Sequence, residues 1–168
     1  EHLNGEADIV GWDKNEVRVT GTLGERTEEF IFERKGRDII IEVEVKKSRN
    51  GWGWGGNGDG DDLKIYVPMD SRVGYTSVNA DVDISDINGA IKVDVVNGNI
   101  NIDKVNGDAR LESVNGDIKF DNLVGELVAE TVNGEIRGKG TETEELTLSS
   151  VNGGIDVISD AEDVNIET

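Results

Sequence analysis

The sequence predicts an all-β protein, a right-handed β-solenoid wound from one chain with about two short strands in each 18-residue coil. Three observations support this prediction. Asn-Gly corners recur every nine residues through the second half of the chain, and strand-type alternation of apolar and polar residues follows each corner. No segment of useful length has the apolar period of a helix. The longer strands near the start are expected to form a cap or the first coils.

The repeat consists of eight units. They begin at Val78, Ile87, Val96, Val105, Val114, Leu123, Val132 and Val151. The first seven lie nine residues apart, and the last follows after 19 residues, which equals two units plus one inserted residue. Such fixed-period similarity indicates a repeat architecture. Within a unit the fifth and seventh positions are mostly apolar and the sixth is polar, which is typical of a strand with one buried face.

The residue before each unit divides the units into two classes. It is small or apolar at Ser77, Val95 and Ser113, and polar at Asp86, Lys104 and Asn122 in the units between them. This alternation favours a true period of 18 residues, with two parallel sheets closing over a thin aliphatic core. A meander of hairpins would alternate with strand direction as well, so it stays open as an alternative at this point.

The corner residues are predicted to be structural. Glycine is expected because a tight corner needs a positive φ. Asparagine can stack on an asparagine one coil away, in an amide ladder that satisfies its buried polar atoms. The predicted turn ladder comprises Asn79, Asn88, Asn97, Asn106, Asn115, Asn133 and Asn152, with Gly89, Gly98, Gly107, Gly116, Gly134 and Gly153. On the 18-residue period, one column holds Asn79, Asn97, Asn115, Asn133 and Asn152.

The chain divides into two parts of one domain. Residues 1–70 form a β-rich N-terminal part, with strand patterns at 16–23, 28–33, 38–46 and 62–68, and residues 71–168 form the nine-residue-repeat solenoid. An open apolar end of a solenoid has to be covered, so the N-terminal strands are expected to provide that cover.

A Gly-rich loop at 48–62 is the candidate binding site. Its candidate ligand-binding residues are Trp52, Trp54, Asn57, Asp59 and Asp61. The two tryptophans suit stacking on a sugar ring or on a side chain of a partner, because long loops with exposed aromatic residues often carry binding sites. The alternatives are that the loop folds back as a lid over the end of the solenoid, or that it is disordered.

Composition excludes several classes of function. The net charge of −19 makes nucleic acid and anionic lipid poor partners, and it keeps a repetitive β-protein soluble. The chain contains no cysteine, which excludes disulfides, thiolate catalysis and Cys-based zinc sites. No stretch reaches the roughly 20 apolar residues of a membrane helix, so the protein is not expected to be membrane-embedded. Exposed sheet edges offer a route to a homo-oligomer.

Neither a metal nor an enzyme is predicted. The run from Asn57 to Asp61 alternates as in an EF-hand, but Asp62 stands where the loop needs glycine and Pro68 where it needs glutamate. No cofactor is therefore expected, although weak calcium binding by the acidic surface stays open. The single histidine, His2, lies at the end of the chain, which argues against a Ser-His triad.

The units "SVNGDI", "TVNGEI" and "SVNGGI", with "GWDKNEVRVTG" near the start and "LKIYVP" before the repeats, resemble a known family. It is the bacterial adhesin-type family of β-strand-repeat domains of unknown function. The resemblance implies an exported protein, periplasmic or at the cell surface, with its signal peptide removed, and no catalytic residues.

The leading hypothesis for the function is a non-enzymatic cell-envelope or surface protein, an adhesion or interaction scaffold that binds a protein or a glycan. The first alternative is a calcium-responsive structural module similar to a β-roll. The second is a β-helix enzyme that degrades polysaccharides.

Overall fold

The computed structural model describes residues 2–45 and 60–168, and all regular structure in these ranges is β-strand. The strands are β1 (His2–Trp12), β2 (Arg18–Thr22), β3 (Thr27–Lys35), β4 (Asp38–Val45), β5 (Asp61–Pro68), β6 (Val73–Ile87), β7 (Ile91–Asn97), β8 (Ile100–Asn106), β9 (Ala109–Asn115), β10 (Ile118–Val124), β11 (Leu127–Asn133), β12 (Ile136–Thr141), β13 (Glu145–Asn152), β14 (Ile155–Ser159) and β15 (Asp163–Glu167).

The strands stack in two parallel columns. The long strand β6 spans both, because its first half pairs with β7 and its second half with β8. One column, which we name sheet A, continues through β7, β9, β11, β13 and β15. The other, sheet B, continues through β8, β10, β12 and β14. All of these pairings are parallel, so the hairpin meander is excluded, and the predicted β-solenoid with coils of about 18 residues is confirmed over roughly five turns.

The fifth and seventh positions of the units fill the space between the sheets. Ile118 and Phe120 on β10 are fully buried, as are Leu127 and Ala129 on the neighbouring β11. The one glycine at the seventh position, Gly138, has a packing reason. A Cβ built there would lie 2.0 Å from the ring of Phe120, which occupies that space. The core is therefore thin and almost entirely aliphatic.

A left-handed residue explains why the units fall into two classes. Asp86, Lys104 and Asn122 have φ values of 58°, 53° and 54°. Because each of them interrupts the strand alternation, the apolar residue that follows turns inward, and Val105, for example, is only 1% exposed. Sheet A lacks this residue, so Val114 at the same position of its unit points outward and is 42% exposed. The 18-residue period was predicted from the sequence without this cause.

Close packing between coils, more than positive φ, explains the glycine at each corner. A Cβ at Gly116 would lie 1.9 Å from the carbonyl oxygen of Gly98, and a Cβ at Gly134 would lie 2.1 Å from that of Gly116. Gly98 has a φ of 155° and Gly107 one of 158°, whereas Gly116 and Gly134 are not among the positive-φ residues. The predicted reason therefore holds at some corners, while backbone contact with the preceding coil applies along the column.

The N-terminal strands both extend and cap the solenoid, as predicted. In sheet B, β1 pairs in parallel with β6, β5 pairs in parallel with β1, and β2 is antiparallel to β5. Strands β3 and β4 form a separate antiparallel hairpin, which brings the buried Val43 to the core. In sheet A, only the first residues of β1 lie beside β6, beginning with the pair His2 and Ser77. The two sheets therefore end at different heights.

Substitution of a corner glycine tests the coil contact. We expect Gly116→Ala to lower the free energy of unfolding by about 2 kcal/mol or more, because the new methyl group overlaps a backbone carbonyl that cannot move away without disturbing its own strand. Chemical denaturation measures the effect. The matched control is Gly154→Ala, since a Cβ at Gly154 meets no atom within 4 Å. Equal stability of the two variants would contradict the interpretation.

Candidate functional site

The predicted loop site is only partly covered by the described residues. Trp52, Trp54, Asn57 and Asp59 lie outside them, so their proposed roles stay predictions. Asp61 is the first residue of β5 and is only 4% exposed. The expectation that Asp61 is an available ligand in an open loop is therefore wrong. Its carboxylate is buried and engaged with the protein itself.

Three groups donate hydrogen bonds to the carboxylate of Asp61. Its Oδ1 accepts the backbone N–H of Gly24 and the hydroxyl of Thr27, each at 2.7 Å. Its Oδ2 lies 3.2 Å from Nε2 of His2, on β1. The side chain thus connects the start of β5 with β1 and with the turn between β2 and β3. Asp61 was a candidate ligand-binding residue of the loop, but its tertiary contacts make it a structural acceptor.

His2 and Tyr75 complete this buried cluster. Because a carboxylate can only accept, Nε2 of His2 carries the proton, and Nδ1 accepts the hydroxyl of Tyr75 at 3.0 Å. Burial lowers the pKa of His2, against the opposing effect of Asp61, and burial raises the pKa of Tyr75. Both rings are therefore neutral at neutral pH. We name Asp61, His2 and Tyr75 the cap cluster; the sequence offered no signal that would bring them together.

The predicted asparagine column exists as a chain of amide hydrogen bonds. Nδ2 of Asn97, Asn115 and Asn133 donates to Oδ1 of the preceding asparagine at 2.7–2.8 Å. The chain ends at Asn152 on one side and, through Asn79, at Asn4 of β1 on the other, with a donor–acceptor distance of 3.0 Å at each end. These side chains line the surface, which corrects the expectation that the ladder satisfies buried amides.

The corner asparagines of sheet B behave differently. Among the described residues, Asn88 donates to Asp70 at 3.4 Å, and no amide bond joins it to Asn106 in the next coil. The column cannot continue beyond Asn106, because Val124 stands at the next corner. Gly89 and Gly107 at these corners still pack closely on the coil before them, since a Cβ at Gly89 would lie 2.3 Å from the carbonyl oxygen of Ser71. The two sides of the solenoid therefore share the glycine but not the ladder.

At several corners, the residue after the corner glycine has a backbone role that the sequence pattern did not reveal. Oδ1 of Asp117 accepts the N–H of Glu135 one coil later at 2.8 Å, and Oδ1 of Asn99 accepts the N–H of Asp117 at 2.9 Å. An acceptor atom is the common requirement, which Asp and Asn meet equally well. The described residues contain no group of three or more His, Cys, Asp or Glu side chains that could hold a metal ion. Calcium binding stays a prediction.

Buried hydroxyl groups complete the contacts between corners. Thr131 donates to the carbonyl oxygen of Gly116 at 3.1 Å, and Ser113 donates to that of Gly98 at 3.2 Å. Each hydroxyl lies 15 residues after its acceptor, on the strand that leads to the next corner of the same column. Where the residue before a unit of sheet A is Ser or Thr, its hydroxyl thus satisfies a corner carbonyl, which explains why this class of units contains Ser and Thr.

The outer face of sheet A carries an exposed valine column. We give this name to Val96, Val114, Val132 and Val151, which are between 40% and 66% exposed. The asparagine ladder borders the column on one side. On the other side, charged residues pair within the face: Lys92 binds Asp94, and Arg110 binds both Glu112 and Glu130. The valines are thus the part of this face that the described residues leave uncovered.

A cleft lies at the N-terminal end, where the two sheets stop at different heights. This cap cleft has a volume of about 1010 Å³ between the β3–β4 hairpin and the ends of the stacks. Its walls combine aliphatic side chains, such as Val43 from the hairpin and Leu63 and Ile65 from β5, with charged ones, such as Arg37 and Asp70. His2 and Tyr75 of the cap cluster and the start of β6 line it as well.

Comparisons with known proteins find no match, either among protein-family models, among curated proteins or among solved structures. In the described parts of the chain, no helix is long and apolar enough to cross a membrane.

Substitution in the cap cluster tests the role of Asp61. We expect Asp61→Asn to lower the free energy of unfolding by about 2–3 kcal/mol, because the new amide N–H₂ cannot accept from all three donors that the carboxylate serves. Denaturant unfolding provides the measurement. The neighbouring Asp62 is exposed, and Asp62→Asn should change stability by less than about 0.5 kcal/mol. If the two variants were equally stable, Asp61 would not be the structural acceptor of the cap.

The stability of the folded chain should depend on the protonation of His2. Burial lowers its pKa in the folded state below the usual 6.5, so the unfolded state binds more protons as the pH falls through that value. This contribution to stability is complete above the usual pKa and is lost as the pH falls through the folded pKa. The wild type should therefore lose more free energy of unfolding between about pH 7 and 5 than His2→Gln does. Parallel curves would contradict the expectation.

Proposed function

We propose that the chain is a non-enzymatic interaction scaffold of the bacterial cell envelope, and that it binds a protein or a glycan through the outer face of sheet A. The observation that carries this proposal is the valine column. Val96, Val114 and Val132 are 40–42% exposed and stand in line on neighbouring parallel strands. Since such strands lie about 4.8 Å apart, the column presents a regular apolar strip.

The groups beside the strip favour contact with a partner. The charges of Lys92 and Arg110 are already balanced within the face, so a partner that covers the valines need not supply a counter-charge for them. The asparagine ladder next to the strip fixes its own amides, which keeps the edge of the strip rigid and polar. An apolar centre with a polar rim is the usual composition of a protein interface.

The non-enzymatic part of the proposal rests on how the polar groups are used. Corner carboxylates such as that of Asp117 accept backbone N–H groups, and the histidine lies in the cap cluster with Asp61 and Tyr75. The export to the envelope and the adhesive role rest on the resemblance of the repeats to the adhesin-type family. The net charge of −19 agrees with an extracytoplasmic scaffold that stays soluble while presenting an apolar strip.

Binding to glycans and cells tests the proposal. The labelled protein is applied to a glycan array and to bacterial and host cells, and the chain with Val96→Thr, Val114→Thr and Val132→Thr is compared with it. These changes keep the branched shape of each side chain and add polarity. We expect binding to weaken at least about tenfold, because the strip loses apolar contact area at three places.

Val124→Thr is the matched control, since Val124 is 42% exposed but lies on sheet B outside the column. It should bind as the wild type does. The unfolding midpoints of all variants are compared to exclude a loss of fold. No binding by the wild type in either assay at high concentration would refute the scaffold function, and equal binding by the triple variant would refute the assignment to this face.

A further inference from the structure

Six corners of the solenoid place an asparagine directly before a glycine: Asn88, Asn97, Asn106, Asn115, Asn133 and Asn152. In this dipeptide an asparagine side chain reacts readily with its own backbone, because glycine has no side chain to shield its nitrogen. Five of these asparagines are the last residues of strands, whereas Asn88 follows the end of β6 at Ile87. The dipeptide is therefore the same at each corner, and only its surroundings differ.

The asparagine ladder restrains both reacting groups in sheet A. The side-chain amide of Asn115 donates to Asn97 at 2.7 Å and accepts from Asn133 at 2.8 Å. The N–H of Gly116, which carries the attacking nitrogen, donates to the carbonyl oxygen of Asn133 at 3.1 Å. The side chain of Asn115 therefore cannot turn towards this nitrogen without losing two hydrogen bonds.

Asn88 in sheet B is held much less firmly. Its Nδ2 donates to Asp70 at 3.4 Å, which is a long hydrogen bond, and among the described residues no donor bonds to its Oδ1. Nor does any described residue accept the N–H of Gly89. Asn88 and Asn115 are both exposed, so access of water does not distinguish them. The difference between the two corners lies in their hydrogen bonds.

We propose that Asn88 is a site of spontaneous deamidation, and that the asparagine ladder protects the corners of sheet A from the same reaction. The nitrogen of Gly89 attacks Cγ of Asn88, and the new N–Cγ bond closes a succinimide ring. The Cγ–Nδ2 bond breaks, and ammonia leaves with the proton of the Gly89 N–H. Water then opens the ring at either carbonyl group, which gives aspartate or isoaspartate. Water is consumed and ammonia released, with no oxidation or reduction.

The product changes the rim of the cap cleft. Asp70, which accepts the amide of Asn88, lines that cleft. A carboxylate at position 88 replaces the hydrogen bond with repulsion between two like charges. Isoaspartate also lengthens the main chain at a corner that packs closely on Ser71, since a Cβ at Gly89 would lie 2.3 Å from its carbonyl oxygen. Deamidation should therefore weaken the contact between this corner and the segment before β6.

The experiment follows deamidation of the whole folded chain. The protein is incubated at mildly alkaline pH, and samples are digested with trypsin and analysed by mass spectrometry, with fragmentation to locate each change. A sample digested at once gives the background. Cleavage after Lys and Arg places four of the Asn-Gly pairs in separate peptides, 73–92, 93–104, 105–110 and 111–119.

The four peptides should react at different rates. We expect Asn88 to deamidate at least about tenfold faster than Asn115, because Asn115 must first break two hydrogen bonds. Asn106 should react at an intermediate rate. Among the described residues its side chain has no ladder bond, but the N–H of Gly107 donates to the carbonyl oxygen of Val124 at 2.8 Å.

One incubation in denaturant and two variants separate the fold from the local sequence. In denaturant all four pairs should react at similar rates, because the dipeptide is the same. Asn88→Gln should remove the reaction of peptide 73–92, since the longer side chain closes a ring far less readily. Asn115→Ser interrupts the ladder, so Asn97 and Asn133 should each react about fivefold faster after losing one hydrogen bond, with Asn88 unchanged. Circular dichroism confirms that the variants fold.

Three results would overturn the proposal. The first is equal reaction of Asn88 and Asn115 in the folded wild type, which needs no variant. The second is the same difference between them in denaturant, because local sequence would then set the rates. The third is an unchanged rate at Asn97 and Asn133 in folded Asn115→Ser. Asn88→Gln should bind glycans and cells as the wild type does, so this proposal and the scaffold proposal can fail separately.

Discussion

The contact of each corner with the corner one coil earlier is the constraint from which most other features of the solenoid follow. Parallel strands stack at a fixed spacing, and at Gly116 this brings the backbone of the preceding coil to where a Cβ would stand, 1.9 Å from a carbonyl oxygen. The polar groups at the same place then bond between coils: Asn115 with Asn97, Asp117 with the N–H of Glu135, and Thr131 with the carbonyl of Gly116. One geometric requirement therefore explains three residue preferences of the repeat.

The same dependence on a neighbouring coil makes the ends of the solenoid special. A corner in the middle is satisfied by the coils before and after it, whereas the first coil has to be completed by other means. The cap cluster of Asp61, His2 and Tyr75 does this with a carboxylate that receives three hydrogen bonds. Strands β1 and β5 extend sheet B beyond the first strand of sheet A. The cap cleft lies at this end, where the two sheets differ in length. The features that differ from the repeat are concentrated there.

The residue pattern along the chain predicted the contacts between repeats correctly, but it did not predict the contacts in the cap. The asparagine column followed from an 18-residue spacing, since strands in register bring equal positions together. Asp61 was a candidate ligand-binding residue because it lies in the Gly-rich loop at 48–62, yet its partners Gly24, Thr27 and His2 come from distant parts of the chain. The first position of every unit is apolar, and the sequence does not distinguish the buried Val105 from the exposed Val114. The backbone of Lys104 is left-handed, and this turns the side chain of Val105 into the core. The repeat pattern does not reveal this backbone conformation.

The residue pattern alone was enough to predict the solenoid, its 18-residue period, its aliphatic core and the corner residues, because these depend on contacts that repeat at a constant separation along the chain. The three-dimensional arrangement was needed to find which first-position residues form the exposed valine column, why each corner excludes a Cβ, and how Asp61 is used. It was also needed to find that sheets A and B end at different heights among the described residues, with the cap cleft at that end. Those outcomes depend on backbone direction and on contacts between non-equivalent segments, and a spacing rule contains no information about either.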